Sequence, residues 1–310
     1  MINRLLPIKK SKRRPPRKVT VRVGCHIVYE TSLPTPVVFV LKPRSDEKQE
    51  VMHEKFCISS HPPAREFKDE HGNIACRTML QPGQNIIHHD ALVMVSALPD
   101  DADHKRLALP VEQIPPAVLR YTLPSRYCDS DKLLNFAWEK FGQIPHGIER
   151  VQAICDWTHR NIEYRFGSGR ADLAASEVIT RRYGVCRDFA HVAIALCRAF
   201  NVPARYITGH LPDIGHRDPG TPMDFHAYFE VYLGSIWCTF DARYNIPRIG
   251  RVKVAQGLDA VEGAFSTIYG EAILTWFEVW AYQVNPDEVS LDDPIDLSKR
   301  LDGTEKIRFC

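Results

Sequence analysis

No two of the nine cysteines are spaced as a CxxC pair. That removes the usual signatures of a structural zinc site and of a thioredoxin-type redox site. Uncharged apolar runs are short, Ala91–Leu98 being typical of the longest, and a membrane-spanning helix needs roughly 20 such residues. Met1–Pro7 is too short for the apolar core of a secretory signal, and a basic, proline-bearing run follows it. The P-loop, zinc-protease and nucleophile-elbow motifs are missing. Gly167 and Gly169 are followed by Asp172 where a dinucleotide fingerprint wants glycine. There is no internal repeat. Without an export signal the expected compartment is the cytoplasm, where most cysteines are free and buried.

What is present is ordinary in bulk and uneven in detail. At 310 residues, 44% hydrophobic and 25% charged, the chain has the composition of a soluble globular protein and the length of two domains. The net charge of +2 hides an asymmetry. Residues 1–18 carry eight Lys and Arg and no acid, so the remainder holds 32 of the 40 bases against all 38 acids. The leader is expected to be a solvated tail, and the mildly acidic body is not expected to bind nucleic acid.

Residues 19–110 carry strand signals. β-branched residues fill Val19–Tyr29, Val37–Leu41 is a short apolar run, Phe67–Met79 has hairpin chemistry around Asp69–Asn73, and Ile86–Leu98 is a long candidate strand. Prolines 110, 115, 116 and 124 punctuate a linker. The period then changes to that of helices: one ending near Phe141, one over Gly147–Ile162, one over Leu173–Arg182, and one over Cys186–Phe200 stopped by Asn201-Val202-Pro203. Strands are expected again at Ala204–Thr208, His226–Leu233, Ile236–Phe240 and Ala272–Tyr282, with a polar, loose segment from Asn285. Helices followed by strands is an α+β order, an antiparallel sheet packed on helices.

One cysteine differs from the other eight. In Tyr183-Gly184-Val185-Cys186-Arg187-Asp188 a glycine breaks the chain direction and Cys186 opens a helix. Unpaired N–H groups and the helix dipole favour a thiolate there, and the same N–H groups can hold an oxyanion. Acyl transfer by sulfur also needs a proton shuttle and a group to orient it. His226 begins a strand, a tight turn follows at Leu233-Gly234-Ser235, and the returning strand ends in Asp241. A hairpin turning near Gly234 pairs position 226 with about 242, which makes His226 and Asp241 neighbours across adjacent strands.

These residues resemble a known family. Gly184–His191, Phe200–Tyr206, His226-Ala227-Tyr228 and Trp237–Asp241 are similar to the core of the transglutaminase-like superfamily. The nearest likeness is to bacterial members with a β-rich domain ahead of that core. The resemblance covers roughly residues 120–285. It implies a papain-like fold in which Cys186 is the nucleophile, His226 the general base and Asp241 the orienting carboxylate. Two positions depart from the family: Tyr228 stands where Trp is usual, and Ala242-Arg243 replaces a Pro-Thr pair, both bearing on substrate contacts. Trp157 and Tyr164 are upstream candidates for a second oxyanion donor.

The expectation is therefore an α+β chain with a papain-like or transglutaminase-like core behind an antiparallel β-sandwich-like domain. Its divisions are a basic leader over 1–18, the β-rich domain over 19–115, the catalytic core over 116–285 and a polar tail over 286–310. The expected activity is thiol-dependent acyl transfer on peptide or protein amides through Cys186, His226 and Asp241, hydrolytic or by amine transfer, with hydrolysis favoured. No cofactor, metal, specific nucleic acid or membrane span is expected. The alternatives are a peptide-binding module that keeps the fold without catalysis and an assembly factor using the leader. Cys197 is expected in the core, His191 in packing, and Arg187 in solvent or a salt bridge. Asp188 has two readings, a charge favouring the helix dipole or a group lining the site. His88 and His89 point to opposite faces of a strand, which argues against metal. The loop His210–Met223 is a candidate lid.

Overall fold

The computed structural model describes residues 18–59, 63–100 and 106–303. The expected leader before Lys18 and the last seven residues of the expected tail lie outside the described residues. The alternation in Val19, Val21 and Val23 continues along β1 (Lys18–Thr31), where Val21, Val23, Cys25, Ile27 and Tyr29 are all buried. There follow β2 (Thr35–Phe39), β3 (Gln49–Ile58), β4 (Arg65–Lys68), β5 (Ile74–Leu80) and β6 (Gly83–Ser96). β1 pairs antiparallel with β6 from Lys18↔Ser96 to Thr31↔Gly83, and β3 lies on the far side of β6. β2, β5 and β4 form a second antiparallel sheet. Cys25, Ile27 and Ile87 of the first sheet and Val37, Phe39 and Leu80 of the second share one core. This is the sandwich the strand signals predict.

The proline-rich stretch contains the short α1 (Pro116–Leu119). The second unit then begins with α2 (Leu134–Phe141), α3 (Ile148–Asn161), β7 (Glu163–Tyr164), α4 (Ala175–Arg181), β8 (Tyr183–Gly184) and α5 (Cys186–Arg198). α5 is buried on every side from Asp188 to Arg198. Ala190, Ala193 and Ala195 let neighbours approach closely, and the Arg198 guanidinium at its end is satisfied by the carbonyls of Leu123, Ala204 and Leu258 and by Ser125 Oγ. The helix packs on β9 (Ala204–His210) and β10 (His226–Leu233). With β11 (Ile236–Phe240) and β12 (Val252–Gly257) these give an antiparallel sheet in the order β11-β10-β9-β12. No described helix is long and apolar enough to cross a membrane.

The C-terminal strands behave differently from expectation. β13 (Ser266–Ile268) pairs with β2, and β14 (Ile273–Val284) pairs with β1. The strand foreseen at Ala272–Tyr282 therefore exists, but it completes the first sheet, in the order β14-β1-β6-β3, rather than the sheet on which α5 packs. Alternation records that a strand has a buried face; it does not record which sheet supplies the partner. The polar segment after Asn285, expected to be loose, packs Val289, Leu291 and Ile295 on Trp280, Tyr282 and Val284. Arg22, paired with Asp90 at 2.7 Å, reaches the Asp293 carbonyl at 2.8 Å and fastens that segment.

Candidate active site

Cys186 stands at the first turn of α5, as the sequence predicts. The turn into the helix requires glycine at 184, where a Cβ would lie 2.5 Å from the Asp188 carboxylate. Asp188 is buried, and its Oδ2 accepts from Val185 N at 2.9 Å, so it caps the helix start. Of its two readings the helix-terminus one holds, and Arg187 Nε pairs with it at 3.4 Å. Cys186 is half-buried, with Sγ 3.9 Å from the Phe225 carbonyl. Burial pushes its thiol up to about 11. The Ala227 N–H and Arg243 pull the other way, while Asp224 and Asp241 add to the rise. Burial thus acts against the thiolate that the helix start favours.

His226 is the first residue of β10. The hairpin beyond it turns on Gly234 and Ser235, both at positive φ, as a two-residue primed turn demands. The ladder runs from Leu233↔Ile236 to Phe229↔Phe240, which puts Asp241 opposite Tyr228, on the same face as His226. The contact is diagonal: His226 Nε2 lies 2.7 Å from Asp241 Oδ2. Burial lowers the His226 pKa against the opposing pull of Asp241, so the ring is neutral at rest. Burial alone would raise Asp241; His226 and Arg251 outweigh it and hold the carboxyl well below the usual range.

The Asp241 carboxylate is saturated. Oδ2 also accepts from Arg251 Nη2 at 2.9 Å, and Oδ1 accepts from the backbone N–H groups of Arg243 and Tyr244 at 3.1 and 3.2 Å. Arg251 in turn donates from Nε to Asp100 at 2.9 Å and lies over the Tyr228 ring. Sequence reasoning missed Arg251 and Asp100. The signal available was indirect: a buried carboxylate facing one neutral imidazole leaves a charge to be matched.

Cys186 and His226 open onto a cleft of about 900 Å³. Its wall includes Tyr164, Arg243 and Phe225 from the core, Asp213 and Asp218 from the candidate lid, and Phe277 from β14. Of the two upstream aromatics, Tyr164 lines the cleft beside Cys186, whereas Trp157 packs against Phe136 at 5.1 Å in the core. His191 stacks on Tyr127 at 5.1 Å and accepts from Ala260 N, a packing role as expected, and Cys197 is fully buried. His88 and His89 do face opposite ways: His89 is buried against Glu54, and His88 meets His26 and Trp280 on the other face.

A family model described as the transglutaminase-like superfamily matches residues 136–242, a span that holds Cys186, His226 and Asp241. The crystal structure of a candidate cysteine protease from Cytophaga hutchinsonii is 33% identical to this chain. It covers 88% of this chain and 93% of its own, with a TM-score of 0.80. A protein of Mycobacterium tuberculosis described only as uncharacterised is 29% identical over 182 residues, 55% of this chain and 58% of that protein. One from Mycobacterium leprae is 26% identical over 89 residues, 28% of this chain and 32% of its own length. The matches to these mycobacterial relatives thus span less than two thirds of their length.

Proposed function

The chain belongs to the transglutaminase-like superfamily, and from that premise we propose that it is a thiol-dependent acyl-transfer enzyme acting on peptide or protein amides. Cys186 is the nucleophile, His226 the proton shuttle and Asp241 the group that orients the ring. The observation that carries this reading is the 2.7 Å contact between His226 Nε2 and Asp241 beside the cleft that also receives Cys186. With Nε2 held, Nδ1 is the ring nitrogen left to exchange a proton with sulfur.

The Sγ–H proton passes to His226 as sulfur attacks the amide carbonyl. N–H groups at the start of α5 face the developing oxyanion, and Tyr164 is the cleft residue available as a second donor. The tetrahedral adduct collapses, the C–N bond breaks, and the amine leaves with the proton from His226. Water, deprotonated by the same ring, then releases the acid and restores the thiol. An amine in place of water gives transamidation. Hydrolysis is favoured because amine transfer needs a site that binds amine and restricts water, and a cleft of this size admits water. The proposed setting is a reducing cytoplasm, in keeping with eight described cysteines that are all free. We also read residues 19–115 and 116–285 as the β-rich and catalytic units, with β14 lent by the second stretch to the first.

The burial of the Cys186 thiol, which pushes its pKa up to about 11, favours a second reading, a peptide-binding module without turnover. The test for both is mass spectrometry of peptides incubated with and without a primary amine, using wild type and Cys186→Ala. Mass changes that vanish in Cys186→Ala support the enzyme. Peptides bound but left intact by wild type support the binding module and sink the enzyme.

A further inference from the structure

We propose that Arg243 determines specificity in this cleft and that the amide it selects carries a carboxylate close to the scissile bond. The inference rests on the reading of Cys186 and His226 given above.

Three arginines stand on the cleft wall. Arg187 is occupied by Asp188 and by the Arg170 carbonyl at 2.6 Å, and Arg300 by Asp218 at 2.7 Å. Arg243 has no carboxylate partner among the described residues. It is nevertheless held firmly. Its guanidinium carbon lies 3.5 Å from the centroid of the Tyr164 ring and 4.5 Å from that of Tyr244, and Nη1 donates to the Tyr244 hydroxyl at 3.1 Å. Its backbone is pinned as well, N–H to Asp241 Oδ1 and carbonyl to His159 Nδ1 at 2.7 Å.

Rings over a guanidinium cover its faces and leave its edge, where the donors are, open to a ligand. A side chain already ordered loses little entropy on binding, and the planar fork matches a carboxylate. Tyr244 connects this group to the chemistry, because its ring is 5.3 Å from that of His226. The cation is felt at the reacting atoms: it lowers the pKa of both Cys186 and His226. Asp224 limits what it takes. That carboxylate lines the same cleft, accepts from Phe225 N at 2.7 Å and makes no ion pair with Arg243 among the described residues. One positive and one negative group suit a single carboxylate better than a phosphate dianion.

Iodoacetate and iodoacetamide offer a matched pair of probes. Sulfur displaces iodide from each, and only the first carries a carboxylate beside the reacting carbon. The rates at which each labels Cys186 at pH 9 are to be followed by peptide mass spectrometry in wild type, Arg243→Gln and Arg243→Lys. The expected ratio of iodoacetate to iodoacetamide rates is roughly tenfold higher in wild type than in Arg243→Gln, with Arg243→Lys between them because it keeps charge without the fork. Equal ratios in wild type and Arg243→Gln, or a Cys186 that neither reagent reaches, overturn the proposal. Peptide pairs with Glu or Gln before the scissile bond, and with a free or amidated C-terminus after it, then tell on which side the carboxylate sits; no preference for the charged member in either pair also overturns it. Failure of the acyl-transfer reading is distinguishable, since amides then stay intact while the alkylation ratio still depends on Arg243.

Discussion

Arg251 donates to the oxygen of Asp241 that also receives His226, at 2.9 Å against 2.7 Å. The imidazole is oriented by an anion that is itself fixed by a buried cation, and that cation is anchored on its other side by Asp100. Arg251 is a positioning residue: it touches the carboxylate and not the sulfur.

Replacing Asp241 with Asn keeps the size and removes the charge that selects the His226 tautomer. The expected loss in kcat is about 10⁴-fold, with the fold retained. Steady-state kinetics beside a near-ultraviolet circular dichroism spectrum check both halves. A loss under about tenfold means that Asp241 does not orient the ring.

Replacing Arg251 with Met leaves the buried Asp241 and the half-buried Asp100 without their cation. Breaking such a pair costs about 3–5 kcal/mol, read as a lower urea midpoint with unchanged slope. Asp100→Asn removes the outer anchor alone and is expected to cost less than half as much.

The directions of the Cys186 and His226 shifts give an expected pH dependence. With the Cys186 thiol near 11 and His226 below its ordinary value, iodoacetamide labelling of Cys186 is expected to rise roughly tenfold per pH unit between 6 and 9, because only the thiolate reacts. A rate that is flat across this range means that sulfur and imidazole rest as an ion pair.

His210 gives a stability prediction of definite sign. It is buried, neither ring nitrogen has a hydrogen-bond partner among the described residues, and burial pulls its pKa down to about 3. The unfolded chain takes up a proton near pH 6.5 and the folded chain does not. The folded state is therefore unaffected by this group above 6.5 and loses about 1.4 kcal/mol for each unit of pH between 6.5 and 3. His210→Leu is expected to flatten that slope, measured as urea midpoints from pH 7 to 4. A slope unchanged in His210→Leu assigns the acid sensitivity to other groups.

Much of this is legible in the sequence. Cys186 was found because a glycine turn, a cysteine and a helix pattern occur in one run of residues, so the geometry is local. The hairpin joining His226 to Asp241 was also local, yet its register differed by one residue from the expected one. A turn centred on Gly234 places Asp241 opposite Ala227, on the wrong face, and the turn built on Gly234 and Ser235 moves it onto the face of His226. β3 was missed because it is an edge strand whose exposed residues, among them Glu50, His53 and Lys55, break the apolar alternation. β12 was missed because Lys253 interrupts it; that lysine is buried against Glu230 at 2.6 Å, a pairing 23 residues away in the chain. Arg251 and the partner of β14 were out of reach for the same reason: each is settled by contacts whose other half lies far off in the sequence.

The return of β14 to β1 has a consequence for how the protein is made. A ribosome delivers β1 first and β14 only after the whole stretch that carries α2 to β12, so the first sheet waits with one long edge uncovered while some 240 residues emerge. During that interval the backbone of β1 offers unpaired donors and acceptors to any extended neighbour. The stretch between β6 and β14 is left as a closed loop whose two ends are stapled into one sheet, so the cleft wall supplied by Phe277 is set in place only after that whole stretch has emerged.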